Sequence, residues 1–161
     1  MKKSMLVFAL CLLQVYQVMA QRINDVDAIK AAIERETNAY FNIDYKTWLD
    51  SWLHAPYAYW SFVDSSGISQ YEGWDAIEIG FTDYFITSKP VVTEIERNWQ
   101  EIRVYGNGAF ARFKQRVITN GMPGAEQTEI RILEKDKKNV WKIVLVGVLK
   151  HNAEMATVNQ Y

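Results

Sequence analysis

The chain has 161 residues, 49% of them hydrophobic and 14% aromatic, with 18 basic against 19 acidic side chains. That length, without a long polar tract, suits one domain with its own core and excludes a two-domain enzyme or a disordered scaffold. A charge this close to neutral also lacks the basic footprint that nucleic acid requires.

At the start, Lys2 and Lys3 precede the apolar run Met5 to Leu13, which is too short to span a bilayer but fits the core of an export signal. Val18-Met19-Ala20 supplies small residues for a signal peptidase, so cleavage is expected before Gln21. Residues 1–20 therefore read as a signal peptide and 21–161 as a single domain that is exported, periplasmic or secreted, with no membrane attachment after cleavage. Removing Lys2 and Lys3 leaves 16 basic against 19 acidic residues, a net charge of −3. The only cysteine, Cys11, follows Leu10, where a lipoprotein signal wants a small residue. Without it the mature chain has no disulfide, thiol nucleophile or thiolate metal site.

Asn24 or Asp25 can cap a first helix with Val26, Ile29, Ile33 and Tyr40 at helical spacing and Lys30, Glu34 and Arg35 on the wet side. Asp44 caps a second helix that places Trp48 and Trp52 on one face, and Pro56 stops it. The aromatic and β-branched run Tyr57 to Val63 predicts a strand entering a loop at Asp64-Ser65-Ser66-Gly67. A third helix follows Gly73, with Ile77, Phe81, Tyr84 and Phe85 in phase, and ends at Ser88-Lys89-Pro90. Beyond it the pattern alternates with period two between turn signals, predicting four long antiparallel strands. Helices grouped on one face of an antiparallel sheet make the class α+β.

Taking Asn107-Gly108 as a two-residue turn sets Trp99 opposite Arg116 and Glu101 opposite Lys114. Extending the pattern puts Arg116 opposite Glu129 and Ile132 opposite Ile143. This predicts a charged face with Trp99, Glu101, Arg103, Arg112, Lys114, Arg116, Glu129 and Arg131, and a helix-covered apolar face with Ile102, Val104, Phe113, Ile130, Ile132, Ile143 and Leu145. The charged face reads as solvated or dimer-facing, with Trp99 over Arg116 as a structural cation–π contact.

Along the covered face the apolar end gives way to Asn98, Gln100, Gln115, Thr119 and Thr128, with Gly147 leaving room. Apolar walls with a few amides and hydroxyls suit a small-molecule pocket, although the same end also suits a mouth opening to solvent. Tyr40, Trp48, Trp52, Trp60 and Tyr84 supply aromatic bulk for the core or for a ligand cage. His54 and His151 are the only histidines, there is no HExxH, Ser65-Ser66-Gly67 is not a nucleophile elbow, and no phosphate loop occurs; no metal or cofactor is expected.

Four stretches together resemble the nuclear transport factor 2-like superfamily, in particular its SnoaL-like and ketosteroid-isomerase-like bacterial branch. They are Tyr40 with Asp44-Tyr45-Lys46-Thr47-Trp48-Leu49, His54-Ala55-Pro56-Tyr57-Ala58, Gly73-Trp74-Asp75-Ala76-Ile77 and Trp141-Lys142-Ile143-Val144. The resemblance implies a cone-shaped roll, a curved sheet wrapped around three helices, with an internal cavity and homodimers through the sheet. It sets Tyr40 at the place of an oxyanion-donating tyrosine. The strand stretch that carries the proton-shuttling aspartate in such isomerases is Ser61-Phe62-Val63 here, without a carboxylate, and Asp64 reaches that place only through a bulge. Histidines common after the last motif are replaced by Leu145 and Gly147.

The expected function is therefore binding of a small, partly apolar molecule between helices and sheet by an exported homodimer, with Tyr40, Trp48, Trp52, Trp60, Tyr84, Asn98, Gln100, Gln115 and Thr128 as ligand contacts. The alternative is a cofactor-independent isomerase, cyclase or hydratase acting through Tyr40 with Asp64 or His54. A third reading is a structural subunit that presents Trp99 and Arg116 to a partner.

Overall fold

The computed structural model describes residues 25–150, so the export signal and its cleavage point lie outside the described residues, as does His151. Helix α1 covers residues 25–41 and α2 Tyr45–Ser51. Strands β1 (Tyr59–Asp64) and β2 (Gly67–Glu72) form a hairpin ahead of α3 (Trp74–Thr87). The remainder is β3 (Thr93–Tyr105), β4 (Gly108–Thr119), the two-residue β5 (Met122–Pro123), β6 (Gln127–Lys135) and β7 (Trp141–Lys150). The sheet runs in the order β2-β1-β7-β6-β4-β3, with β5 attached to β4. It is antiparallel except between β1 and β7, where Tyr59 pairs with Leu145 in parallel. The architecture is the α+β arrangement expected, with two strands more than the sequence pattern suggests: β2, which follows the turn at 64–67, and the two-residue β5.

The helix signals act as their chemistry requires. Asp44 caps α2 by accepting from the Thr47 amide at 3.0 Å, replacing one of the backbone partners a helix start lacks. The helix ends at Ser51, and Leu53 then donates its amide to the Ile143 carbonyl at 2.9 Å, tying the chain after α2 to β7. Trp48 is fully buried in a cluster with Trp52, Trp74 and Phe81, at ring separations of 5.4–6.0 Å. Ile29 and Ile33 of α1, Ile77 of α3, Phe113 of β4, Leu133 of β6 and Ile143 of β7 close the same core.

Three registers differ from the sequence expectation. The first hairpin turns at Gly106-Asn107, because Gly106 takes the left-handed φ of 61°, and Tyr105 pairs with Gly108. Glu101 therefore faces Arg112, and a one-residue bulge at Gln100 then shifts the rest of β3 so that Trp99 faces Phe113. Trp99 consequently turns inward onto Phe113 at 4.9 Å, and the cations over its ring are Lys30 and Arg97 rather than Arg116. Between β4 and β6, Ala111 pairs with Arg131 and Phe113 with Glu129. This differs from the expected register by an odd number of residues, and an odd slip exchanges the two faces of a strand. Glu129 and Arg131 therefore lie inside, while Thr128, Ile130 and Ile132 lie on the uncovered face; between β6 and β7 Ile132 pairs with Leu145, which lies there too, and not with Ile143, which pairs with Leu133.

Candidate functional site

A cavity of about 270 Å³ lies between α1, α2 and α3 and the sheet. Its walls are unequal. Tyr40, Phe41, Trp48, Trp60, Phe62 and Phe81 form an aromatic side, and Val117, Val146 and Val148 add aliphatic surface from the sheet. The remaining lining is polar: Glu36 and Thr37 from α1, Gln115 from β4, and Gln127, Glu129 and Arg131 from β6.

These polar groups form one connected network. Gln115 and Gln127 each donate a side-chain amide to Glu129 Oε1 at 2.7 Å. Glu129 Oε2 is paired with Arg131 Nη2 at 2.5 Å, inside a site where the two side chains are 1% and 5% exposed. Arg97, turned inward by the bulge, donates through Nε to Gln115 Oε1 at 3.0 Å and through Nη2 to Thr37 Oγ1 at 3.1 Å. Glu36 accepts from Trp48 Nε1 at 3.1 Å, and its other oxygen lies 3.9 Å from Arg131 Nη2. Arg131 Nε and Nη1 have no acceptor although they are buried.

Burial holds the Glu36 carboxyl above the ordinary carboxylate range; nearby Glu129 adds to this, and Arg131, Trp48 and Arg97 oppose it. Burial likewise pushes the Tyr40 phenol up, with Tyr84 contributing. Tyr40 stacks on Tyr84 at a ring separation of 4.4 Å.

Of the residues singled out in the sequence, Tyr40, Trp48, Trp60 and Gln115 line the cavity. Tyr84 backs Tyr40 from outside the lining, and Trp52 packs in the core beside Trp48 and Trp74. Asn98 and Gln100 are exposed: Asn98 pairs with Lys114 on the uncovered face and Gln100 occupies the bulge. Thr128, also opposite Lys114, lies on that uncovered face as well. His54 is exposed, stacks on Trp74 at 4.0 Å, and has Nε2 3.0 Å from the Leu49 carbonyl, away from the cavity. Asp64 is engaged in the β1–β2 turn, where its Oδ1 accepts from the Ser66 amide at 2.8 Å and hydroxyl at 2.6 Å, and these bonds hold its carboxyl below the usual range. No bulge carries it to the strand position the isomerase comparison requires, since β1 and β2 pair without interruption.

Sequence reasoning missed Glu36, Glu129 and Arg131. Glu36 had a readable signal, because 29, 33, 36 and 40 continue one helical face and put a carboxylate in the core phase. The β6 pair had none, since its inward orientation depends on the register across a long loop.

No protein-family model matches the sequence, and no curated protein does. Solved structures do match in fold. A nuclear transport factor 2-like protein of unknown function from Shewanella oneidensis is 14% identical, covers 78% of this chain and 99% of its own, and superimposes with a TM-score of 0.62. A ketosteroid isomerase-like protein from Erwinia carotovora is 16% identical, over 78% of this chain and 95% of its own, with a TM-score of 0.57. A protein of unknown function with a cystatin-like fold from Nostoc punctiforme is 14% identical, over 80% and 92%, with a TM-score of 0.58. The chain thus has the nuclear transport factor 2-like fold, and at these identities the likeness speaks for the fold alone.

Proposed function

We propose that the protein is an exported small-molecule-binding domain that takes one partly apolar molecule into the cavity between its helices and sheet and works as a homodimer through the sheet. The observation that carries this reading is the two-sided cavity itself. Protein interiors are close-packed, and a core built only for stability closes such a space. Here about 270 Å³ stays open between an aromatic wall and a hydrogen-bonding wall, and two buried guanidinium nitrogens still lack acceptors.

The test is native mass spectrometry on protein expressed as the full chain in an exporting host, followed by calorimetric titration with indole, a neutral flat probe. A dimer carrying a stoichiometric small molecule, or an empty dimer that binds indole saturably, supports the reading. An empty protein that takes up no indole overturns it.

A second reading, a cofactor-independent isomerase, cyclase or hydratase acting on a small carbonyl compound, is favoured by one observation. Glu36 and Tyr40 stand one turn apart on α1 and both line the cavity. A desolvated carboxylate with a raised pKa beside a phenol is a workable base and hydrogen-bond donor. In that reading Glu36 takes the role for which Asp64 and His54 are too far engaged elsewhere. Glu36→Gln abolishes turnover in an enzyme but only shifts affinity in a binding protein.

A further inference from the structure

Resting on the reading of this cavity as a binding site, we propose that its ligand is a small aromatic monocarboxylate whose carboxylate is held by Arg131. A guanidinium carries five N–H donors and no acceptor. In the described structure Arg131 uses Nη2 on Glu129, while Nε and Nη1 are buried without any acceptor. An unsatisfied donor on a buried charge is among the more unfavourable arrangements a protein interior holds. The other three buried members of the network are better satisfied. Arg97 bonds to Gln115 and Thr37, Glu129 to Gln115, Gln127 and Arg131, and Glu36 to Trp48. On the cavity wall the unsatisfied atoms gather at one place: Nε and Nη1 of Arg131, and Oε2 of Glu129, which is ion-paired with Arg131 Nη2 but accepts no hydrogen bond.

Charge points the same way. The buried cations at this end are Arg97 and Arg131, and the buried anions are Glu129 and Glu36. Desolvation moves Glu36 towards its neutral acid. Glu34, 4.0 Å from Arg97, is half-exposed, so water screens it. Glu36 stands 3.9 Å from Arg131 Nη2, beyond hydrogen-bonding distance, so Glu129 is the one carboxylate in close contact with Arg131, and the two idle donors are left for the carboxylate of a ligand. A neutral amide or ketone makes only the weaker, uncharged class of hydrogen bond with these donors, and a cation is repelled by the guanidinium. Arginine and carboxylate are also matched in planar geometry and form the stronger, charge-assisted class of hydrogen bond. The body of the ligand follows from the opposite wall, where Tyr40, Trp48, Trp60, Phe62 and Phe81 favour a flat ring.

The experiment titrates the protein with benzoate and with its neutral isostere benzamide, using calorimetry and tryptophan fluorescence, with indole as the control for an open pocket. Benzoate is expected to bind at least about tenfold more tightly than benzamide. In the double variant Arg131→Gln with Glu129→Gln, which leaves neither charge alone, the benzoate-to-benzamide preference falls to about one. Arg131→Lys keeps the charge opposite Glu129 while removing the orphaned donors, and it too should lose most of the preference; it serves if the double variant does not fold. Equal or tighter binding of benzamide overturns the proposal, as does a preference that survives these variants. Indole binding without benzoate binding overturns the carboxylate claim and leaves the pocket reading standing, whereas failure of both probes overturns the two together.

Discussion

Glu36 sits where the phase of α1 calls for a hydrophobe, fully enclosed beside Trp48, Arg131 and Glu129. Its raised pKa makes a stability prediction whose sign is fixed by linkage. A carboxyl that holds its proton more tightly when folded contributes stability that is complete below its unfolded value, near the ordinary 4.5 of a glutamate, and is lost as pH rises through the folded value. Glu36→Gln keeps the shape and an acceptor for the Trp48 indole but has no proton to lose. The variant is therefore expected to match the wild type near pH 4 and to exceed it by about 1 kcal/mol near pH 8, as read from urea unfolding at the two pH values. A variant less stable than the wild type at the higher pH would mean that the Glu36 anion is held by Arg131 and Arg97 more strongly than burial opposes it.

At the level of elements, the first turn of α1 is clasped to the far end of the β6–β7 hairpin by one side chain. Asp25 Oδ1 pairs with Lys135 Nζ at 2.8 Å and accepts from Trp141 Nε1 at 3.0 Å. These bonds hold the Asp25 carboxyl below its ordinary 3.8. Its contribution is present above that value and disappears as pH falls through the folded one. Asp25→Ala should lower stability by about 1–2 kcal/mol at neutral pH and by much less near pH 3, checked by thermal or urea melts. The clasp was not legible beforehand, although the elements it joins were. Helical spacing in Ile29 and Ile33, the Asp44 cap and the alternation after Pro90 are local signals, and each led to an element that is present. What failed was pairing. The bulge at Gln100 and the odd register of β6 are set by packing over distances that no short motif records. A single slip exchanged Glu129 and Arg131 with Thr128, Ile130 and Ile132. The candidate site was thus partly visible: Tyr40, Trp48, Trp60 and Gln115 could be named, whereas Phe41, Phe62, Phe81 and its charged residues were not.

For the molecule as a whole, the same register leaves an apolar band on the uncovered side of the sheet. Phe110, Ile132 and Leu145 stand side by side across β4, β6 and β7, and Leu149 and Val63 are neighbours across β7 and β1. Ile132 and Leu149 are 38% and 39% exposed in the single chain. The proposed dimer covers this band. Ile132→Glu, at a site where the monomer is already wetted, should convert a dimer to a folded monomer in light scattering while leaving the unfolding free energy of the monomer within about 0.5 kcal/mol. A variant that keeps the dimer mass would move the contact elsewhere.

The parallel partnership of β1 with β7 also bears on how the chain reaches this structure. Tyr59 pairs locally with Glu72 of β2, but its neighbour on the other side, Leu145, lies near the end of the described chain, whereas β3 and β4 meet across a two-residue turn. Loop closure favours the hairpins of the second half, which can form early. The β1–β2 hairpin then remains without its inner neighbour until the last strand arrives, and the tie from Leu53 to Ile143 waits for the same strand. The junction of the first half of the fold with the sheet therefore depends on β7: removing that strand leaves the β1–β2 hairpin and the chain after α2 with no place on the sheet.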